Sequence, residues 1–232
     1  MKSATILLGI VILFALLAGM AYSILPETVA THWNLEGIAD GFAPKAWGVI
    51  LFPILALGIY VLYRIIPSMD PSKNIQSFYE PFGRFMIALE LFFLYIFTLF
   101  LAYNQGYRFD FGQWLAPGFA VLLYSIGVLM AKSRRNYMVG FRTPWTLASE
   151  RVWNETHSKL AQIFYAVSVL PLFGFFTGGG TLIWIGFAFA FPLVYGIAYS
   201  FYLFRKYEKI STEPTASTQR SPPKRTKARR KV

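Results

Sequence analysis

Cysteine is absent from this chain of 232 residues, and only two histidines occur in it. Disulfides, thiolate chemistry and Cys-ligated zinc are thereby excluded. Charge is scarce too: 14% of the residues are Asp, Glu, Lys or Arg, where a soluble globular domain carries about 25%. There is no H-E-x-x-H, no Walker A glycine loop and no G-x-S-x-G, so the usual metalloprotease, nucleotide and serine-hydrolase sites have no footing. The chain reads as non-enzymatic, with no cofactor and no metal.

What is plentiful is apolar sequence, 56% hydrophobic and 19% aromatic. A helix crossing the hydrocarbon core needs about 20 such residues. Six stretches come close, near 5–25, 47–66, 83–103, 114–131, 160–177 and 181–204. The first is longer than the roughly 7–15 apolar residues of a cleaved signal, so it is expected to stay as a span. Thr177-Gly178-Gly179-Gly180 leaves room only for a tight antiparallel turn between the last two.

The net charge of +11 is largely a tail effect, since ten of the 22 Lys and Arg lie between Arg205 and Lys231. With the N-terminus inside, only Lys45 and Arg108 fall outside, as the cytoplasmic enrichment of Lys and Arg requires. The expected fold is an all-α integral membrane protein of six transmembrane helices with both termini cytoplasmic. It divides into a two-helix unit (1–66), a four-helix unit (67–207) and a disordered basic tail (208–232). The tail should be drawn to anionic membrane lipid at about 1 kcal/mol per basic residue near the surface. No aromatic residue interleaves its charges, so direct nucleic-acid binding is not expected.

Polar residues inside the spans are few. Pro53, Pro171 and Pro192 are expected as kinks. Glu90 lies within the third span, where a charged carboxylate costs about 2.5–3.5 kcal/mol. Two readings stay open: a buried hydrogen-bonded group, or part of an ion path in a small transporter or ion-coupled carrier.

Two polar loops hold the remaining chemistry. In the first, expected outside the cytoplasm, Asn34 to Gly37 and Asp40-Gly41 read as turns. His32, Glu36 and Asp40 are metal-compatible, but a protein metal site normally needs three or more preorganised ligands. The favoured reading is an interfacial loop with Trp33 at headgroup depth. In the second, Arg134-Arg135 anchors the fourth span's cytoplasmic end. Asn136, Gly140 and Arg142-Thr143-Pro144-Trp145-Thr146 make a compact turn, and Pro144 forces Thr143 out of the helical region. Thr146 is the candidate N-cap of a helix on which Glu150, Trp153 and His157 share a face. Such a face either binds a partner or seals the bundle.

The string Asn136…Gly140-Phe141-Arg142-Thr143-Pro144-Trp145-Thr146…Trp153…Thr156-His157 resembles the SdpI family of bacterial membrane immunity and signalling proteins. Pro26…His32-Trp33-Asn34…Gly37…Asp40-Gly41…Lys45 is similar to the short domain of unknown function that commonly precedes that pattern. The resemblance implies protection against a secreted antimicrobial peptide toxin and recruitment of a cytoplasmic repressor protein to the membrane. It makes His32, Trp33, Asn34, Gly37 and Asp40 candidates for the toxin-facing loop. The Arg142–Thr146 turn with Trp153 and His157 becomes the candidate signalling surface.

Overall fold

The computed structural model describes residues 2–212. α1 covers Lys2–Ile24, and a β-hairpin follows, β1 Thr28–Trp33 and β2 Ala39–Pro44. α2 runs Lys45–Met69, and a 3₁₀ turn at Asn74–Phe78 leads into α3, Tyr79–Asn104. The short α4 (Phe111–Trp114) precedes α5 (Ala116–Lys132), and the short α6 (Pro144–Ala148) precedes α7 (Glu150–Val167). α8 (Leu170–Thr177) and α9 (Thr181–Thr212) complete the described chain. With α4 joined to α5 and α7 to α8, six spans are long and apolar enough to cross a membrane. Between 28% and 39% of each span's most apolar stretch is buried. The rest faces outward, which water would not tolerate and lipid does.

The N-terminal spans meet through aromatic rings. Phe52 stacks on Phe97 with centroids 4.7 Å apart, and Phe14 stacks on the same ring at 5.8 Å. Elsewhere small residues let helices approach. A Cβ on Gly127 of α5 would lie 2.7 Å from the Tyr165 ring of α7. α3 packs on α1 and α2 on one side and on α5 on the other, so it joins the two groups of spans.

Two expectations change. The first loop is a hairpin, with Val29 opposite Ala43 and Ala30 opposite Phe42. The Asn34 turn is present, its Oδ1 accepting from Glu36 N and Ile38 N at 3.0 Å each. Asp40-Gly41 is no turn but lies in β2 opposite His32. Gly41 serves close strand approach, since a Cβ there would lie 2.7 Å from His32 Cβ. Pro171 does not kink a continuous helix; it occupies the first turn of α8, where its missing N–H costs nothing. The last helix runs past Glu208 to Thr212. The remainder of the expected tail lies outside the described residues.

The hairpin and the 133–143 loop stand at opposite ends of the bundle. The cysteine-free chain makes their sidedness testable with single cysteines. Leu35→Cys, at an 81% exposed turn position, is expected to react with a membrane-impermeant maleimide in intact cells. Pro144→Cys, also exposed, should react only after permeabilisation. The reverse pattern inverts the topology.

Candidate functional site

At the hairpin end, Trp33 lies flat on Phe111 of α4, centroids 3.7 Å apart and planes 7° from parallel. Tyr103 meets the indole edge-on at 5.2 Å. Trp33 is therefore held in an aromatic stack, because α4 lies against the hairpin. Gly37 explains part of that closeness. Its φ is +74°, and a Cβ would fall 2.2 Å from Asp110 Oδ1. Asp110 in turn caps α4 by accepting from Gln113 N at 2.9 Å.

Beneath the hairpin is a cavity of about 290 Å³, with Phe52, Phe100, Phe119 and Leu182 among its walls and Thr31, His32 and Asn34 at the strand side. Trp33 also lines it, and its buried Nε1 has no hydrogen-bond partner among the described residues. A concave apolar chamber with one or two polar groups is the usual form of a ligand site. His32 and Asp40 stand outside the stack as an exposed pair, Nδ1 to Oδ1 2.5 Å. Among the described residues no three His, Cys, Asp or Glu converge as metal ligands, so Glu36 does not join them.

At the opposite end the structure separates residues that the helical spacing grouped. Asn136 is fully buried and organises its own turn. Its amide donates to Arg134 O and Val139 O at 2.8 Å each, and its Oδ1 accepts from Met138 N at 2.8 Å and Val139 N at 2.6 Å. Gly140 follows with φ +112°, and a Cβ there would sit 2.7 Å from His157 Nε2. That nitrogen accepts from Phe141 N at 3.0 Å, so Nδ1 carries the hydrogen and donates to Trp153 O at 2.9 Å. Trp153 stacks on the imidazole at 3.9 Å and donates from Nε1 to Ser133 O.

Trp153 and His157 are thus buried, at 0% and 1% exposure, whereas Glu150 is exposed. The three share a helical direction, but the 134–143 loop covers only the later turns. They do not form one surface; the ring pair seals the bundle. Thr146 is not the N-cap. Thr143 caps α6, with Thr146 as the reciprocal partner of a capping box, and Ser149 caps α7. Pro144 at the first helical position fixes that register. Thr143 also reaches Ser200 of α9 at 3.2 Å, and Trp145 packs on Phe201. Arg135 is more than an anchor, since it donates to Leu147 O at 2.9 Å. Of the candidate surface residues, Arg142, Pro144 and Glu150 remain exposed, and Arg142 donates to the carbonyl of the exposed Tyr137.

Asp70 was not singled out by the sequence reading. At 2% exposure it accepts from Ser72 Oγ (2.7 Å), Asn74 N (3.0 Å) and Tyr137 N (3.2 Å). Asn74 also donates to Arg135 O at 2.7 Å. The 70–78 connection is thereby clasped to the 133–143 loop. The signal available was Asp70-Pro71-Ser72-Lys73-Asn74, a string of turn formers between two apolar runs. Glu90 is wholly buried in α3, and neither carboxylate oxygen has a hydrogen-bond partner among the described residues. It is not the hydrogen-bonded group that one reading expected.

Fold and loops define a multi-pass membrane protein with an aromatic-roofed cavity at one end and a hydrogen-bonded plug at the other. Residues 9–57 match a domain of unknown function, DUF1648, and residues 132–200 match the SdpI/YfhL protein family. The chain is 25% identical over 179 residues to the immunity protein SdpI of Bacillus subtilis (strain 168), covering 77% of this chain and 84% of that protein. Together with the six apolar spans, these similarities support a multi-pass protein of the cell membrane that resembles the SdpI family. No solved structure matches the chain.

Asp70 carries the prediction here. Burial alone would raise its carboxyl, but hydrogen bonds from Ser72 and Tyr137 outweigh that and hold it below the usual carboxylate range. Asp70→Ala is expected to cost roughly 1–3 kcal/mol, because buried backbone donors lose their acceptor. The wild-type group's folded value lies below the unfolded one of about 3.9. Its contribution is therefore full above that pH and fades as pH falls toward the folded value. Thermal unfolding in detergent should show a constant gap to Asp70→Ala near neutrality, narrowing below about pH 4. A gap that widens on acidification contradicts this account.

Proposed function

We propose that the chain is a non-enzymatic immunity and signalling protein that takes a secreted antimicrobial peptide toxin at the hairpin end. The observation that carries this reading is the apolar cavity lined by Trp33, whose indole N–H has no acceptor. A peptide supplies what that site lacks, an apolar side chain for the chamber and a main-chain carbonyl for the indole. The similarity to a protein named for immunity supports the same reading. The exposed His32–Asp40 pair sits where an incoming chain would first meet the hairpin. At the other end, Arg142 and Glu150, with Tyr137 and Pro144, are the accessible part of the family-like loop. They form the docking surface for a cytoplasmic repressor, which binding of the toxin outside holds at the membrane. Trp153 and His157 keep that surface in place from beneath.

The test uses a toxin-sensitive host. The chain is expected to restore growth, and Trp33→Phe, which keeps a stacking ring but removes the N–H, to weaken protection about tenfold at unchanged membrane abundance. A small repressor should fractionate with membranes in the presence of toxin and be released by Arg142→Ala. Growth that the chain alters for no secreted peptide removes the support for immunity.

A carrier is the second reading, favoured by the wholly buried, unpartnered Glu90. In proteoliposomes it predicts an ion-coupled flux abolished by Glu90→Gln; equal flux in both ends it.

A further inference from the structure

The described arginines are nearly all engaged. Arg64, Arg108, Arg135 and Arg142 donate to a hydroxyl or carbonyl. Arg84, Arg151 and Arg205 pair with carboxylates. Among the described residues Arg134 alone has a guanidinium with no hydrogen bond, ion pair or ring contact. It lines a polar cavity of about 400 Å³ at the end of α5, facing α7, together with Lys132, Ser133, Asn154 and Ser158. Lys132 likewise has no partner among the described residues, and no carboxylate lines the cavity. His157 closes it from inside, but both its ring nitrogens are already used. The last-turn oxygens of Leu129 and Met130 are already bonded to Ser133.

We propose that this cavity binds the phosphodiester of an anionic phospholipid, with Lys132 and Arg134 as its cations and Ser158 and Asn154 as neutral donors. Two unpaired cations beside hydroxyl and amide donors are the chemistry of a phosphate site, and a guanidinium fork fits phosphate oxygens two at a time. The source is lipid because of where the cavity lies. Lys132 is the last residue of a membrane-spanning helix, which places its ammonium at headgroup depth. Below it the seam between α5 and α7 is apolar, with the exposed ring of Tyr124 resting against Tyr165 at 5.1 Å. Acyl chains lie along that seam while the phosphate enters the cavity. Basic pockets between spans at the cytoplasmic face take anionic headgroups in this way.

The experiment is native mass spectrometry of the full chain in mild detergent, titrated with equal amounts of phosphatidylglycerol and phosphatidylcholine. The wild-type chain is expected to retain one phosphatidylglycerol preferentially. Arg134→Gln with Lys132→Gln should weaken that preference by roughly tenfold or more, leaving phosphatidylcholine binding and the unfolding temperature unchanged. Lys73→Gln removes an exposed, unpartnered cation outside the cavity and controls for overall charge, the tail being present throughout. If Lys73→Gln and Arg134→Gln lose phosphatidylglycerol equally, diffuse attraction replaces the site and the proposal fails. If inorganic phosphate displaces the lipid and binds with the same variant dependence, the lipid assignment is overturned. Arg134→Lys keeping most of the preference, with Arg134→Gln losing it, is the outcome expected of a phosphate contact.

Discussion

Inside a bilayer, burying Leu or Phe against another helix gains little that lipid would not also give. The arrangement of these six spans therefore depends on what fastens their ends. At one end Asn104 of α3 holds the hairpin, donating to Ala30 O and accepting from Ala30 N. At the other, Asp70 and Asn74 tie the 70–78 connection to the 133–143 loop, which Asn136 braces from within. These contacts are directional, and most of their partners are backbone groups that a folded chain must satisfy somewhere. Apolar packing fills the space between; the polar ties decide which helix stands beside which.

The six spans could be read from the chain because hydrophobic length is a one-dimensional signal, and their ends moved by only a few residues in most cases. The hairpin could not. Thr28–Trp33 and Ala39–Pro44 are short and the second carries Gly and Pro, so their pairing depends on Asn104 and Phe111, which lie some seventy positions away. The Arg134–His157 stretch shows the same limit differently. Spacing correctly placed Glu150, Trp153 and His157 in one helical direction, but burial is decided by the loop folded over that direction, which spacing does not encode. The cap moved from Thr146 to Thr143 because Pro144 starts its own short helix, a consequence available in the residues but outweighed by the prominence of the longer helix beyond. Asp70 was illegible for a simpler reason: its partner Tyr137 is 67 residues away.

The two ends differ in kind. Both ends keep a cavity: the hairpin's is apolar, with the unpartnered Trp33 N–H among its walls, whereas the loop end's is polar and lined by Lys132 and Arg134. Cavities and orphaned groups weaken packing, so each marks a place left open, for apolar groups at one end and for charge at the other. Glu90 stands between them in α3, which packs against both groups of spans.

The Asn104 contact has a consequence for how the hairpin meets other chains. A two-stranded sheet has two free edges, and each is a template on which an extended segment can add as a third strand. By occupying the outward N–H and C=O of Ala30 together, one amide side chain takes the place of a neighbouring strand's peptide group along β1. Strand addition from that side is blocked at its middle residue. Among the described residues no side chain claims the outer margin of β2 in this way, and along it Pro44, which has no N–H to donate, ends the register open to an added strand.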